Sequence, residues 1–389
     1  MENITILGST GSIGENTLSV IREHPDKFKV FALSANSQVD KLYAQCLEFK
    51  PMFAVLRDTH AAILLQEKMT NVKLKTQILS GVVALEMIAS HKGVDQVMAA
   101  IVGIAGLRPA YAAVTSGKKV LLANKEALVT AGQIFMDAAH EYGATIIPVD
   151  SEHNAIFQCL PEKSRIYDAA SVTEIILTAS GGPFLRKSLS DLKEITPDEA
   201  CAHPNWKMGR KISVDSSTMV NKALEMIEAY WLFAMPVEKL TVLIHPESIV
   251  HSMVRYQDGS FLAQIGSPDM RTPIAYSLFY PERGQALVKP LDLTEKPLNF
   301  IDVDTQRFPA IQLVYDMLSR NDIVGTIIFN AANEVLVNAF LNNQIKYLEI
   351  VEGIKKAVLE LTFLTPQNIE DVIKIDQKVR KYMCEGVLA

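Results

Sequence analysis

An α/β protein of more than one domain is predicted from three features of the sequence. Short apolar runs alternate with amphipathic stretches through the first 150 of the 389 residues, the pattern of a parallel sheet with helices on both faces. The first of these runs, Ile4-Thr5-Ile6-Leu7, passes through Gly8-Ser9-Thr10-Gly11-Ser12-Ile13-Gly14 into a helical stretch from Glu15 to Glu23. Strand, glycine turn and helix in that order are how a Rossmann-like sheet begins. From Phe308 onward the periodicity is helical to the end, which suggests a C-terminal bundle. The expected layout is a nucleotide domain at 1–150, an α+β catalytic domain with a mobile flap at 151–285, a linker at 286–306 and a helical bundle at 307–389.

In the first domain, a glycine turn lets the backbone approach a pyrophosphate at the helix N-terminus. The spacing is G-x-x-G-x-x-G rather than G-x-G-x-x-G, and a plain tight turn is the alternative. The second strand, Lys29-Val30-Phe31-Ala32-Leu33, ends in Ser34-Ala35-Asn36-Ser37-Gln38. An NAD site usually places an acidic residue there to hold the ribose 2′-OH. None is present, which favours NADP, whose 2′-phosphate a carboxylate would repel. The same turn has no Arg or Lys, leaving Asn36, Ser37 and Gln38 to hydrogen-bond that phosphate. Further strands are expected at 53–56, 95–100, 119–123 and 144–147, with helices at about 59–69, 105–116 and 125–142. Asn124-Lys125-Glu126 follows a strand directly, on the ligand side of such a sheet. Lys125 either steers a phosphate or opens a surface helix with a Lys–Glu pair.

Pro148-Val149-Asp150-Ser151-Glu152-His153-Asn154 joins a strand end to the helical pattern of Ala155–Leu160. Two carboxylates one residue apart at such an edge suit a hard cation, Mg²⁺ or Mn²⁺. A helix N-cap at Asp150 or Ser151, with Glu152 favouring the dipole, is the plain alternative.

In the second domain, the strand Glu174–Ala179 runs into Ser180-Gly181-Gly182, an anion nest or a simple turn. His203-Pro204-Asn205-Trp206-Lys207-Met208-Gly209-Arg210 reads as a lid, unless Trp206 packs on its own domain. Asp215-Ser216-Ser217 are N-cap residue types expected to open a helix. On that helix Asn221, Lys222 and Glu225 share one face. They form either a solvated Lys222–Glu225 pair or a phosphate clamp (Ser216, Asn221, Lys222) beside a third metal carboxylate, Glu225. A hairpin is expected from 248–256 and 260–265 around Asp258-Gly259. His245, Glu247 and His251 lie near it, as a structural edge or subunit contact. A helix should follow at 270–280, and the four bundle helices at 309–319, 325–341, 347–361 and 366–383.

Composition narrows the class. Hydrophobic residues make up 49% and charged residues 21%, as in a globular protein with a sizeable core. A net charge of −6 and no block of like charges argue against nucleic acid or a membrane surface as partner. Cys46, Cys159, Cys201 and Cys384 form no C-x-x-C pair and read as free thiols of a reducing compartment, the cytoplasm. No leader segment and no membrane-spanning run is expected.

Together GSTGSIG, LLANKE, PVDSEHNAIFQ, SGGPF, HPNW-x-MG-x-KISVDS, NK-x-LE and IHP-x-S-x-x-HSMV resemble one family over almost the whole chain. It is 1-deoxy-D-xylulose 5-phosphate reductoisomerase, of the non-mevalonate isoprenoid pathway. The resemblance implies NADPH held by Thr10, Gly11, Ser12, Ile13, Asn124 and Glu126, with Asn36 on the 2′-phosphate side and Gly209 near the nicotinamide. It implies a divalent metal (Mg²⁺ or Mn²⁺, with Co²⁺ a further candidate) on Asp150, Glu152 and Glu225. It implies a phosphosugar substrate contacting Lys125, Ser151, Glu152, Ser180, His203, Ser216, Asn221, Lys222 and Glu225. Glu152, Lys125 and His203 are the implied catalytic set, Trp206 the indole of the flap, and a homodimer the implied assembly. The chain departs from the family pattern at Asn36-Ser37-Gln38, where a basic residue is common, and at Lys207, where a small polar residue is common. A metal-free NADP-linked dehydrogenase and a non-catalytic redox sensor on the same sheet are the rival readings. Neither needs the carboxylates or the SGG and NK clusters.

Overall fold

A computed structural model describes residues 1–70, 72–161, 171–202, 206, 209–295 and 297–387. The chain divides into two compact units. One takes Met1–Ala127, Phe135–Asn154 and Asp269–Lys289; the other takes Leu128–Ile134, Ala155–Pro268 and Pro290–Ala389.

The first unit alternates strand and helix. In order come β1 (Glu2–Leu7), α1 (Ser12–Glu23), β2 (Phe28–Ala35), α2 (Val39–Phe49), β3 (Phe53–Leu56), α3 (Thr59–Met69) and β4 (Gln77–Ser80). Then follow α4 (Gly81–Ser90), β5 (Gln96–Ala99), α5 (Leu107–Val114), β6 (Lys119–Leu122), α6 (Lys125–Glu141), β7 (Thr145–Pro148) and α7 (Ser151–Cys159). The strands are all parallel, in the order β4-β3-β2-β1-β5-β6-β7. Ile4, Ile6, Leu33, Val55, Val97, Met98, Val120 and Leu121 are fully buried, as strands covered on both faces require. The order runs outward one way from β1 and the other way from β5. In such sheets the ligand crevice opens beyond the carboxyl ends of the strands at that reversal.

The second unit is built on a mixed five-stranded sheet. The chain runs through β8 (Val172–Ala179), α8 (Pro197–Cys201), α9 (Arg210–Ser217), α10 (Val220–Leu232), β9 (Leu240–Ile244), β10 (Val250–Tyr256) and β11 (Phe261–Ile265). It continues through α11 (Arg271–Phe279), β12 (Ile301–Asp302), α12 (Pro309–Ser319), α13 (Ile323–Leu341), α14 (Tyr347–Glu360) and α15 (Ile369–Val387). The sheet order is β11-β10-β8-β9-β12. The hairpin is formed as expected, with Gly259 at φ +84° supplying the left-handed turn.

The unit boundaries differ from the layout read in sequence, and long-range hydrogen bonds are the reason. The Gln96 amide donates to the Leu278 carbonyl at 3.1 Å, and the Lys119 ammonium donates to the carbonyls of Leu278 and Tyr280 at 3.2 and 2.9 Å. These bonds bring α11 into the first unit. The terminal helices share the second unit with the mixed sheet: Tyr315 donates to the Leu240 carbonyl at 2.6 Å, and Arg307 to the Phe184 carbonyl at 3.0 Å. Helix α13 also corrects the membrane reading. It is long and apolar enough to cross a bilayer, but 72% of that window is buried inside the protein. It is therefore a core helix.

All four cysteines are free. Burial pushes the Cys46 thiol up to about 12, so it is inert at neutral pH.

Candidate active site

The glycine turn sits at the sheet reversal. Gly8 has φ +83°, and a Cβ there would meet the Ala100 carbonyl oxygen at 2.8 Å. Only glycine satisfies both constraints. A Cβ on Gly14 would lie 2.4 Å from the Gly8 carbonyl oxygen and from the Ser9 Cα, so α1 abuts the turn itself. The turn is tied to β2: the Gly8 amide donates to Ser34 Oγ at 3.0 Å and the Ser9 amide to the Ser34 carbonyl at 2.8 Å. Gly11 is the N-cap of α1 and offers no capping side chain. The helix thus presents its first amides and its positive end to an anion. Thr10, Gly11, Ser12 and Ile13 stand at this end, half-exposed or exposed. Asn36 is exposed at the end of β2.

Asn124 caps α6, its side chain accepting from the Ala127 amide at 2.8 Å. Its Nδ2 donates to the carbonyls of Ile101 and Gly103. This buried side chain therefore ties the start of α6 to the loop after β5 and shapes the crevice wall. Glu126 is buried in the next turn.

Lys125 opens α6 and Asp150 opens α7. The Asp150 carbonyl accepts from the Asn154 amide at 2.8 Å, the N-cap position. Its carboxylate pairs with Lys125 Nζ at 2.5 Å, both groups mostly buried. The helix-start reading of this stretch is met at Asp150, whose charge also faces the lysine that opens α6. Ser151 Oγ donates to Glu152 at 2.6 Å. Beneath them the Asn154 amide donates to the Pro148 carbonyl at 2.8 Å and to Ser277 Oγ at 3.1 Å, fixing the first turn of α7 against α11.

The second unit holds the other group. Gly181 and Gly182 have φ +79° and +68°. A Cβ on Gly182 would lie 2.9 Å from the Ser216 carbonyl oxygen, so the turn after β8 packs against the end of α9. The Gly182 amide is taken by Ser180 Oγ at 3.1 Å. The expected nest thus spends one of its two glycine amides internally, with Gly182 against the backbone of Ser216.

Asp215-Ser216-Ser217 end a helix rather than begin one. Met219 adopts φ +60°, and Thr218 Oγ1 turns back to the Val214 and Asp215 carbonyls, separating α9 from α10. Asp215 is buried between Lys211 at 2.8 Å and the Asn333 amide at 2.9 Å. On α10, Asn221 donates to Glu225 at 2.5 Å, and Lys222 pairs with the other oxygen of the same carboxylate. Lys222 is 3% exposed and Glu225 1%. This is a buried pair, not the solvated surface pair. Such a pair is weak as a stabiliser but costly to leave half-made. Trp206 lies with its ring 6.0 Å from that of His251, and Gly209 is the exposed N-cap of α9. His203 and Lys207 lie outside the described residues.

Three family models match: the 1-deoxy-D-xylulose 5-phosphate reductoisomerase model over residues 4–132, its C-terminal domain model over 146–233, and a DXP reductoisomerase C-terminal domain over 265–382. The 1-deoxy-D-xylulose 5-phosphate reductoisomerase of Francisella tularensis subsp. novicida is 56% identical over 380 residues, 98% of this chain and 97% of that one. The chain belongs to the 1-deoxy-D-xylulose 5-phosphate reductoisomerase family. The reductoisomerase of Cupriavidus metallidurans is 54% identical over 98% of this chain and 97% of its own. Among solved structures, a DOX-P reductoisomerase in complex with NADPH, fosmidomycin and magnesium superposes with a TM-score of 0.95 at 43% identity, covering 100% of this chain and 98% of that one. The Zymomonas mobilis reductoisomerase in complex with NADPH gives 0.92 at 42% identity, covering 100% and 99%.

The α/β class, with its parallel N-terminal sheet, mixed second sheet and helical C-terminal region, is that of the reductoisomerase family. The first unit brings together Lys125, Asp150, Ser151 and Glu152. The second brings the Ser180 turn to Ser216, and joins Asn221, Lys222 and Glu225. One residue near the expected cofactor edge was passed over in sequence. Arg57 follows β3 directly, and its amide donates to the Ala35 carbonyl at 3.0 Å. The available signal was its place, one residue beyond a strand that pairs with β2.

Proposed function

We propose that this chain isomerises and reduces 1-deoxy-D-xylulose 5-phosphate to 2-C-methyl-D-erythritol 4-phosphate, in isoprenoid precursor synthesis. The observation that carries this reading is the match, over the full length of the chain, to a reductoisomerase complexed with NADPH, fosmidomycin and magnesium. NADPH and a divalent metal are its cofactors. Asp150, Glu152 and Glu225 are the proposed metal donors, an all-oxygen set that fits Mg²⁺ or Mn²⁺. When bound, the metal supplies a Lewis acid for the ketose carbonyl, and NADPH supplies hydride for the aldehyde left by carbon–carbon migration.

The chain's own residues position and protonate. Ser180, Ser216, Asn221 and Lys222 hold the remote phosphate, so its binding energy fixes the reacting end. Burial of Lys222 favours this role, because an anion reaching it meets little competing water. Lys125, which pairs with Asp150, or Glu152 is the proposed proton carrier at the sugar oxygens. The segment with His203 and Trp206 is proposed to close over the substrate. The cofactor lies along the glycine turn, at Thr10 to Ile13, toward Asn36.

The test is NADPH oxidation with 1-deoxy-D-xylulose 5-phosphate, before and after chelation, with Mg²⁺ or Mn²⁺ restored. Activity should vanish with the metal and return with it. Turnover indifferent to chelation would remove the carboxylate triad from the mechanism. A homodimer is further proposed, supported by the edge strand β11, which exposes Phe261, Leu262 and Ile265. Sedimentation at micromolar concentration should give twice the chain mass, and a monomer there sinks the idea. Four free cysteines support a cytoplasmic location, which cell fractionation would check.

A further inference from the structure

Resting on the NADPH reading above, we propose that Arg57 recognises the 2′-phosphate of the cofactor, from the strand next to the one where a basic residue is absent. Ala35 stands opposite Leu56 in the parallel register of β2 and β3. That pairing continues past the strand ends: the Arg57 amide donates to the Ala35 carbonyl at 3.0 Å and the Asp58 amide to the Asn36 carbonyl at 3.1 Å. Arg57 is thus held beside Asn36, at the strand end where the adenosine ribose lies in this sheet type. Ser34, in the same strand, is bonded to the amides of Gly8 and Ser9, so the edge adjoins the pyrophosphate turn.

The charges around this edge leave Arg57 as the group available to an anion. Its side chain is exposed, and among the described residues it makes no hydrogen bond or ion pair. The carboxylates at the starts of the adjoining helices α1, α2 and α3 are partnered. Asp58 caps α3, accepting from the Ala61 amide at 2.8 Å. Asp40 pairs with Lys68 at 2.7 Å, and Glu15 with Lys41 at 2.8 Å. Among the described residues no carboxylate pairs with the guanidinium. Asn36, Ser37 and Gln38 are exposed beside it and can donate hydrogen bonds but no charge. A guanidinium fork matches two phosphate oxygens, and its long stem reaches across from β3.

The test compares equilibrium binding of NADPH, NADH and adenosine 2′,5′-bisphosphate by the wild-type chain, Arg57→Ala and Arg57→Lys. Loss of one charge-assisted phosphate contact predicts NADPH and the bisphosphate weakened roughly ten- to a hundredfold in Arg57→Ala. NADH should change by less than about twofold, which also shows that the variant is folded. Arg57→Lys should recover part of the loss. Equal NADPH affinity in wild type and Arg57→Ala would overturn the assignment while leaving the NADPH reading intact. Equal weakening of NADPH and NADH would overturn it too, since the residue would then not read the phosphate. A wild-type chain that binds neither nucleotide would fail the underlying functional reading instead.

Discussion

Glu225→Gln is expected to lower turnover by about a thousandfold, the loss of roughly 4 kcal/mol of transition-state stabilisation at a metal site. NADPH affinity should stay within about twofold, because the substitution touches no part of the glycine turn. The reasoning starts from burial. A carboxylate only 1% exposed accepts from both the Asn221 amide and Lys222, at a place where little water screens a charge. Gln keeps the shape and removes the charge. The same change removes the charge that Lys222 faces in this pair, and breaking one side of a buried pair costs about 3–5 kcal/mol. Thermal unfolding must therefore be measured beside turnover. The double variant Glu225→Gln/Lys222→Met separates the effects: it should regain part of the lost stability and none of the activity. Normal turnover in a folded Glu225→Gln protein would falsify the metal assignment.

Gly14→Ala is the second large effect, and it falls on the cofactor. The added Cβ would stand 2.4 Å from the Gly8 carbonyl oxygen and the Ser9 Cα. Both are backbone atoms in a turn fastened to Ser34, so neither can swing aside as a side-chain tip would. The turn and α1 must separate, at a cost of about 1–3 kcal/mol in stability. The amides at the helix start move with them, and NADPH should bind at least about a hundredfold more weakly, since an anion site depends on their common aim. Gly11→Ala is the control for packing: its Cβ meets nothing closer than 3.5 Å, so that protein should melt like the wild type. If Gly14→Ala binds NADPH normally, the pyrophosphate does not sit on this turn.

Local signals carried most of the fold. The glycine turn and most of the alternation to Pro148 were legible, because a buried parallel strand is apolar on both faces and a helix is not; α2, β4 and α4 were not among the expected elements. Helix α12 fell on its expected residues, Pro309–Ser319, where proline at the first position marks the start. Elements set by contacts distant in sequence were not legible. The allegiance of α11 depends on Gln96 and Lys119, more than 150 residues earlier in the chain. Strand β12 is two residues long and forms only because β9 is there to pair with it. At the site, residue identities could be read but their setting could not. Asp215-Ser216-Ser217 have N-cap chemistry, and only the left-handed Met219 makes them a helix end. Lys222 and Glu225 have the spacing of a surface pair, and only packing buries them.

Asn333 and Tyr347 give the C-terminal third of the chain an unexpected standing. Asn333, in the middle of α13, donates to Asp215 at 2.9 Å, and Tyr347, at the start of α14, donates to the Ser217 carbonyl at 2.7 Å. The two bonds bracket Ser216, a proposed phosphate contact. None of the proposed site residues lies in the terminal helices, yet these helices act as a jig for the backbone on either side of one of them. For protein engineering the consequence is practical: a truncated enzyme lacking them would keep most of the chemically named side chains and lose the shape that makes one of them useful.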